Sequence, residues 1–582
     1  MYEGEVTTDG KVEMNGDGDD IFVTIYNQKA NKITFGGTTA EKILAGSRST
    51  KANNNIAFNL QKGDTSKIQT IDLITDSTTN KKGVDIAFYG NGNSAYKVNS
   101  FVGTLNIING ENAVAGTIGK DNLASDNEFG HGKILMVGDN NIVYNGLGYA
   151  QAGEINLSDV QMAGNNNTII KLQGPTTTNP VRPTNDSTAP VGVFGGTIRI
   201  QGAMGGEYAH WQSNNPKAIH KNNIAVYAAS GQSAQFQKGW LGDGISGSLH
   251  NVEIEDINVG FGNAAEDSVL VYATNGTGVD AKTNTKDTDN NVVITDGVNK
   301  DVDTAAPKRG YNTSNVKADH TSRKTVMGYA NGIFNDATNY NHPTVGIHPQ
   351  STINFNTDVD MVARESVVYY AKDGGLINTG TATGTPSGVN TRAGGGNSVV
   401  AFASGEGEIN NIGVSKSTIN IKGNITAADY MILGDYANRK DSEVTSVYNN
   451  IGAYAKDGGQ ITIEGATAEN KAVEQNAKNV GGNANKTTAS NSSLIYGIGA
   501  YASGVNSSIN IKGNSGIHVV TGPNTGVFAK DHGKISFMGN ITNQNNLVHG
   551  SAGTEPEIET SDFSNTATTG IATSTVKRLG MF

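Results

Sequence analysis

The sequence predicts an all-β fold, a right-handed parallel β-helix (β-solenoid) with inserted loops or small subdomains. Three observations lead there: a strand-and-turn composition, an internal repeat that alternates apolar with polar residues, and irregular spacing between its copies. The 582 residues include 75 glycines but only 11 prolines, with Asn and Thr very frequent throughout. Charged residues make up 17%, below the roughly 25% usual for soluble domains, and Leu is scarce. No run of strong helix formers is long enough for a stable helix. The apolar residues are mostly Val, Ile, Tyr and Phe in short clusters, each bounded by Gly, Asn, Asp or Ser. Such clusters read as strands.

The repeat is carried by Val368-Tyr-Tyr-Ala-Lys-Asp-Gly-Gly-Leu-Ile377, Ile451-Gly-Ala-Tyr-Ala-Lys-Asp-Gly-Gly-Gln-Ile-Thr-Ile-Glu-Gly465, Ile498 to Gly513 and Gly526 to Gly539. Val400 to Ile409 and Gly148 to Leu157 fit with small changes, and fainter echoes occur at Val226-Tyr-Ala228, Val271-Tyr-Ala273 and Gly328-Tyr-Ala330. The unit reads apolar-x-aromatic-Ala, a Gly or Asp-Gly turn, then Ile-x-Ile. In Ile461-Thr-Ile463 and Ile509-Asn-Ile511 the alternation buries one face and wets the other. The Ala after the aromatic marks a tight inward corner. In the Lys-Asp-Gly-Gly turn the Asp caps its own backbone, and the glycines are free to take positive φ. One coil alone cannot bury its Ile/Val face, so coils must stack ~4.8 Å apart and bury successive Ile, Val and aromatic ledges. With ~20–26 residues per coil, about 20 coils are expected, a rod on the order of 100 Å long. The Asn clusters Asn53-Asn54-Asn55, Asn165-Asn166-Asn167 and Asn449-Asn450 should ladder along the axis at corners or just before strands. A sandwich or propeller would space its turns evenly, and this chain does not.

Three stretches break the pattern: Gly174 to Pro190, rich in Pro and Thr; Thr274 to about Lys324, with one strand-like run at Val292-Val-Ile294; and Gly380 to Asn397. This divides the chain into 1–173, β-helix coils; 174–325, β-helix interrupted by long loops or an inserted subdomain; and 326–582, regular repeat-bearing coils. Long insertions are either binding loops or plain solvated loops. Both tryptophans fall in the middle division, in Tyr208-Ala-His210-Trp211 and Trp240-Leu-Gly-Asp243, with His220 nearby. Aromatic faces beside amides and carboxylates suit sugar or protein recognition, so Tyr208, His210, Trp211, Trp240 and Asp243 are the candidate ligand-binding residues. The alternative is that a Trp caps an open coil beneath a loop.

Other chemistry finds little support. The net charge is −11 with a pI near 5.4, and no Lys/Arg stripe exists to hold nucleic acid. Without cysteine there is no disulfide framework and no thiolate metal site, which suits a chain exported unfolded. His-Glu-x-x-His and the P-loop are absent. Asp358-Val-Asp360 and Asp17-Gly-Asp19-Asp20 are the nearest acidic groupings, the latter a possible Ca²⁺ loop lacking the Glu of an EF-hand. No cofactor and no catalytic residue is expected.

At Ala455-Lys-Asp-Gly-Gly459 and Ala529-Lys-Asp-His-Gly533, each followed by Ile-x-Ile or Ile-x-Phe, the chain resembles passenger segments of type V (autotransporter) outer-membrane adhesins. The low-cysteine, Asn-rich style is most similar to the large fusobacterial members of that family. The likeness covers most of residues 130–540 as a repeat style and carries no family binding residue with it. It implies a non-enzymatic passenger, exported and displayed on the bacterial outer surface. The implied partner is a host cell-surface glycoprotein or glycan receptor, or the surface of another bacterium. It also implies membrane anchoring through a C-terminal β-barrel. Neither a signal peptide nor barrel strands are expected within these residues. A stalk that only spaces a distal tip, or a glycan-cleaving β-helix, are the rival readings.

Overall fold

The computed structural model describes residues 4–543 apart from connecting stretches, the longest of which are 174–196, 202–219, 230–250, 296–315, 334–349, 429–449 and 477–497; residues 544–582 also lie outside it. Every described element is a strand or a turn, and among the described residues no helix is long and apolar enough to cross a membrane. Two compact units are distinguished: Met1–Thr295 with Asn331–Asn354 and Ile409–Gly413, and Asp296–Ala330 with Phe355–Glu408 and Val414–Phe582.

In the first unit the principal ladder runs through Ile21–Ile25, Ile56–Leu60, Ser94–Val98, Ile142–Leu147, Thr168–Gln173, Ile224–Ala229 and Val269–Thr274, all parallel. A second sheet stacks Val12–Met14, Lys42–Ala45, Asp85–Tyr89, Ile134–Val137 and Val160–Ala163. A third stacks Gly4–Thr8, Asn31–Phe35, Ile68–Leu73 and Thr104–Asn109, and ends where Val114–Gly119 folds back antiparallel. A fresh parallel series, Glu128–Gly130, Glu154–Ser158, Thr197–Gln201 and Asn251–Glu255, follows.

The second unit repeats the plan. Its principal ladder comprises Val326–Asn331, Val367–Lys372, Val399–Ser404, Ile451–Lys456, Ile498–Ser503 and Thr525–Lys530. After the turn, Leu376–Thr379, Thr418–Ala428, Gln460–Glu464, Ser508–Lys512 and Lys534–Phe537 stack in register. The 11-residue strand Thr418–Ala428 belongs to two sheets. It changes sheet at Gly423, whose φ of 133° few L-residues adopt. Its second half continues the series Val316–Ala318, Val359–Met361, Val389–Ala393, Val473–Asn476, Ile517–Val519 and Ile541–Asn543.

Alternation decides the core. Ile419, Ile421, Ile461, Ile463, Ile509 and Ile511 point inward and are buried, while Asn420 and Asn510 between them are exposed. The alanines that follow the repeat aromatics, among them Ala371, Ala403, Ala455 and Ala502, are buried where the strand closes on its turn. The repeat aromatics themselves sit on the other face, half-buried, so the expected aromatic ledges of the core are not built from them. The interior rings are others: Phe58 stacks on Tyr96 at 5.2 Å, and Phe355 lies 4.8 Å from Tyr369. The Tyr369 hydroxyl finds Thr391 Oγ1 at 2.7 Å, which lets a phenol sit in the core.

Three expectations need correction. Within each unit, successive rungs of the principal ladder are 26 to 56 residues apart, so among the described residues that ladder has seven rungs in one unit and six in the other instead of about 20 coils. The estimate assumed two strands per repeat, whereas strands of three parallel sheets succeed one another among the described residues. Of the segment Gly148 to Leu157 only Glu154 onward is described, and it lies in a strand outside the principal ladder. Ile142–Leu147 belongs to that ladder, and Asn145 takes the place that Tyr227 takes two rungs on. Finally, Gly380–Asn397 holds a paired strand, Val389–Ala393. The stretch after Thr274 holds Gly278–Val279 and Val316–Ala318 besides the expected Val292–Thr295. Two- and three-residue strands are too short to show alternation.

Candidate functional surface

All five residues singled out for binding lie outside the described residues: Tyr208, His210 and Trp211 between Thr197–Gln201 and His220–Lys221, and Trp240 and Asp243 between Ile224–Ala229 and Asn251–Glu255. Only their flanks are placed. The backbone of His220–Lys221 pairs in parallel with Ala265–Glu266 beside the corner that opens the principal ladder. Two corners and one outward sheet face supply the surface chemistry that can be described.

The first corner is an asparagine stack. Asn54, Asn140, Asn166, Asn222, Asp267, Lys324, Glu365 and Asn397 all adopt φ between 50° and 59°, a region that Asn and Asp tolerate better than other side chains. That conformation turns the next residue inward. Asn55, Asn93, Asn141, Asn167, Asn223, Ser268, Thr325, Ser366, Ser398 and Asn450 are accordingly buried at the mouths of their strands. The inner Asn residues of the first unit tie themselves to the rung before. Asn141 N–H donates to Asn167 Oδ1 at 2.9 Å, and Asn167 Nδ2 donates to the Gly138 carbonyl at 2.9 Å. Asn93, Asn141 and Asn223 donate in the same way to the carbonyls of Ala52, Gly90 and Gly164. The side-chain amide thereby replaces a peptide group that the bend has removed from the ladder.

The residue before each left-handed position forms an outer row. Asn91 N–H donates to Asn53 Oδ1, Asp139 N–H to Asn91 Oδ1, Asn165 N–H to Asp139 Oδ1 and Lys221 N–H to Asn165 Oδ1, all at 2.7–2.9 Å. Asp17 begins this row by accepting from Asn53 Nδ2. It is a rung of the corner, while Asp19 and Asp20 of the supposed Ca²⁺ loop lie outside the described residues, as does Asp358. At the far end Lys221 Nζ lies 3.3 Å from the buried carboxylate of Glu266.

The second corner is the Lys-Asp-Gly-Gly turn. Asp373, Asp457 and Asp531 take φ of 48–50°, and Gly374 and Gly458 take φ of 93° and 90°. The second glycine of each pair meets a different demand: a Cβ on Gly459 would lie 2.1 Å from the Ala403 carbonyl oxygen of the rung before. The cap comes from serines further along the chain. Gly374 N–H donates to Ser417 Oγ at 2.9 Å and Gly458 N–H to Ser507 Oγ at 3.0 Å. The Asp carboxylates instead stand 3.3–3.5 Å from the preceding lysine ammonium groups, exposed. Exposed pairs of this kind add little stability.

Between the two corners the outward face of the second unit carries six stacked rings. Tyr329, Tyr370, Phe402 and Tyr454 succeed one another at 4.8 Å with interplanar angles of 5–11°. Tyr454 and Tyr501 are 4.5 Å apart at 1°, and Phe528 closes the row at 5.0 Å and 40°. In the first unit the corresponding Tyr227 and Tyr272 meet edge-on, at 5.4 Å and 73°. Strand spacing of ~4.8 Å imposes the stacking distance.

Burial pushes the Tyr370 and Tyr227 hydroxyls up, aided by Asp373 and Tyr272 respectively. For Tyr454 burial, then Tyr501 and Asp457, push the pKa up to about 12. A raised phenol pKa favours the neutral ring in the folded state. Its contribution is complete below pH 10 and is lost as pH rises from 10 toward 12. Unfolding followed across that window should therefore show an alkaline loss of stability that is smaller in Tyr454→Phe. An identical pH profile for the variant would refute the assignment.

Among the described residues no group of three or more His, Cys, Asp or Glu could hold a metal ion. Compared with known proteins, the chain matches no family model, no curated protein and no solved structure.

Proposed function

We propose that the parallel sheets of each unit close into a right-handed β-helix. We further propose that the chain is a non-enzymatic passenger of a surface-displayed adhesin, attaching its bacterium to other bacteria or to host cells. The observation that carries this reading is the repeat itself. An Ala-Lys-Asp-Gly-Gly turn between apolar strands recurs through parallel ladders in an acidic chain without cysteine. Parallel strands joined by crossovers are right-handed in nearly all cases, which is the reason for the proposed hand. Insertions between stacked rungs are where such a scaffold presents recognition surfaces, and Tyr208, His210, Trp211, Trp240 and Asp243 fall in two of them. The ligand class is a glycan or a glycoprotein receptor, held by aromatic faces and amide groups.

A stalk without its own ligand site is the second reading. It is favoured by the corner asparagines, whose amides are spent on neighbouring rungs along the axis. A screen of the chain against glycan arrays, host receptors and partner bacteria separates the two. On the adhesin reading Trp211→Ala and Trp240→Ala reduce attachment tenfold or more, about 1.4 kcal/mol, at unchanged circular dichroism. Attachment that survives both substitutions removes these residues from the proposal, and no binding to any probe leaves the stalk.

A further inference from the structure

The outward ladder of the second unit is a row of phenols as well as a row of rings. It contains two tyrosine–tyrosine contacts, Tyr329–Tyr370 and Tyr454–Tyr501, and Phe402 separates them. Tyr454 and Tyr501 are direct partners in the parallel register of Ile451–Lys456 and Ile498–Ser503. Their rings are parallel within 1° at 4.5 Å, so they face each other across the rung spacing. The strand register on which both residues sit holds this alignment. Both rings are half-buried, with an edge open to solvent. The chain has no cysteine and hence no disulfide with which to lock one rung to the next.

We propose that Tyr454 and Tyr501 form an oxidative cross-linking site, at which a haem peroxidase acting with hydrogen peroxide joins the two rings as dityrosine. Each phenol gives up one electron and one proton and becomes a phenoxyl radical. The unpaired density on one ortho carbon of each ring pairs to form a carbon–carbon bond. The two ortho hydrogens then shift to the oxygens and restore both phenols. Two electrons and two protons leave in all, and they reduce one hydrogen peroxide to two waters. The product staples successive rungs covalently on the outside of the sheet, without displacing a core side chain. Tyr329–Tyr370, at 4.8 Å and 11°, is a second site of the same kind. Tyr227–Tyr272, edge-on at 73°, does not bring its rings face to face and does not couple.

The test treats the full chain at high dilution with a haem peroxidase and hydrogen peroxide. The expected result is a monomer lighter by two hydrogens per link, with dityrosine fluorescence and a linked peptide pair containing Tyr454 and Tyr501. Tyr454→Phe and Tyr501→Phe, which keep the stacked ring, should each lose that pair while retaining the Tyr329–Tyr370 link and the wild-type circular dichroism. The proposal is overturned if free N-acetyltyrosine dimerises in the same mixture while the Tyr454–Tyr501 pair is absent. Links found only between molecules, or a Tyr227–Tyr272 link of equal yield, overturn it as well.

Discussion

Replacing Asn167 with alanine should destabilise the first unit by about 2–6 kcal/mol, since each buried polar group left unpaired costs about 1–3 kcal/mol. The two groups are Asn141 N–H, which donates to Asn167 Oδ1, and the Gly138 carbonyl, which accepts from Asn167 Nδ2. Asn167 is fully buried, so water cannot replace the amide without opening the corner. The urea midpoint reads the global cost, and hydrogen exchange at the Asn141 amide reads it locally. Serine supplies a built-in comparison, because Ser268 already accepts from Asn223 N–H at 3.1 Å in the equivalent position. Asn167→Ser should therefore lose less than Asn167→Ala. Equal losses for the two, or an unchanged midpoint for alanine, would mean that the inner ladder is not what holds the corner.

The second large effect belongs to Gly459→Ala. The added methyl would stand 2.1 Å from the Ala403 carbonyl oxygen and 2.4 Å from its carbon. Both are backbone atoms and cannot swing aside. Gly459 is itself anchored, donating to the Lys456 carbonyl at 3.0 Å and accepting from Ser508 N–H at 3.0 Å. Forced separation of two rungs at this point should cost about 3 kcal/mol, the upper end of ordinary overpacking. Gly332→Ala is the contrast: its φ is 78° and nothing lies within 4 Å, so only the left-handed penalty of about 1–2 kcal/mol applies. Thermal unfolding of the two variants should rank Gly459→Ala clearly below Gly332→Ala. The reverse order would show that the turn yields to the methyl group.

Some of this was legible in the residues. The Ile-x-Ile runs name their own buried face, because strand side chains alternate and only one side of Ile461-Thr-Ile463 can be wet. The Asn clusters announced corners and a stack, since asparagine both tolerates the left-handed bend and offers a peptide-like amide. The two glycines of the turn were recognisable as a pair, but not their separate tasks. Gly458 answers a backbone angle written in the local chain, whereas Gly459 answers the proximity of Ala403, a residue distant in sequence.

The sequence by itself therefore determined the strand period, the turn chemistry and the all-β class, which depend on residues within a few positions of one another. Tertiary structure alone decided which rungs are neighbours, that Asn145 stands in line with Tyr227, and that the repeat aromatics stack outside while alanines fill the core. The physical reason is that stacking in the principal ladders joins residues 26 to 56 positions apart through insertions of unequal length. Register across such gaps is set by hydrogen bonds between rungs, and a short aromatic motif cannot show from within which rung will lie beneath it.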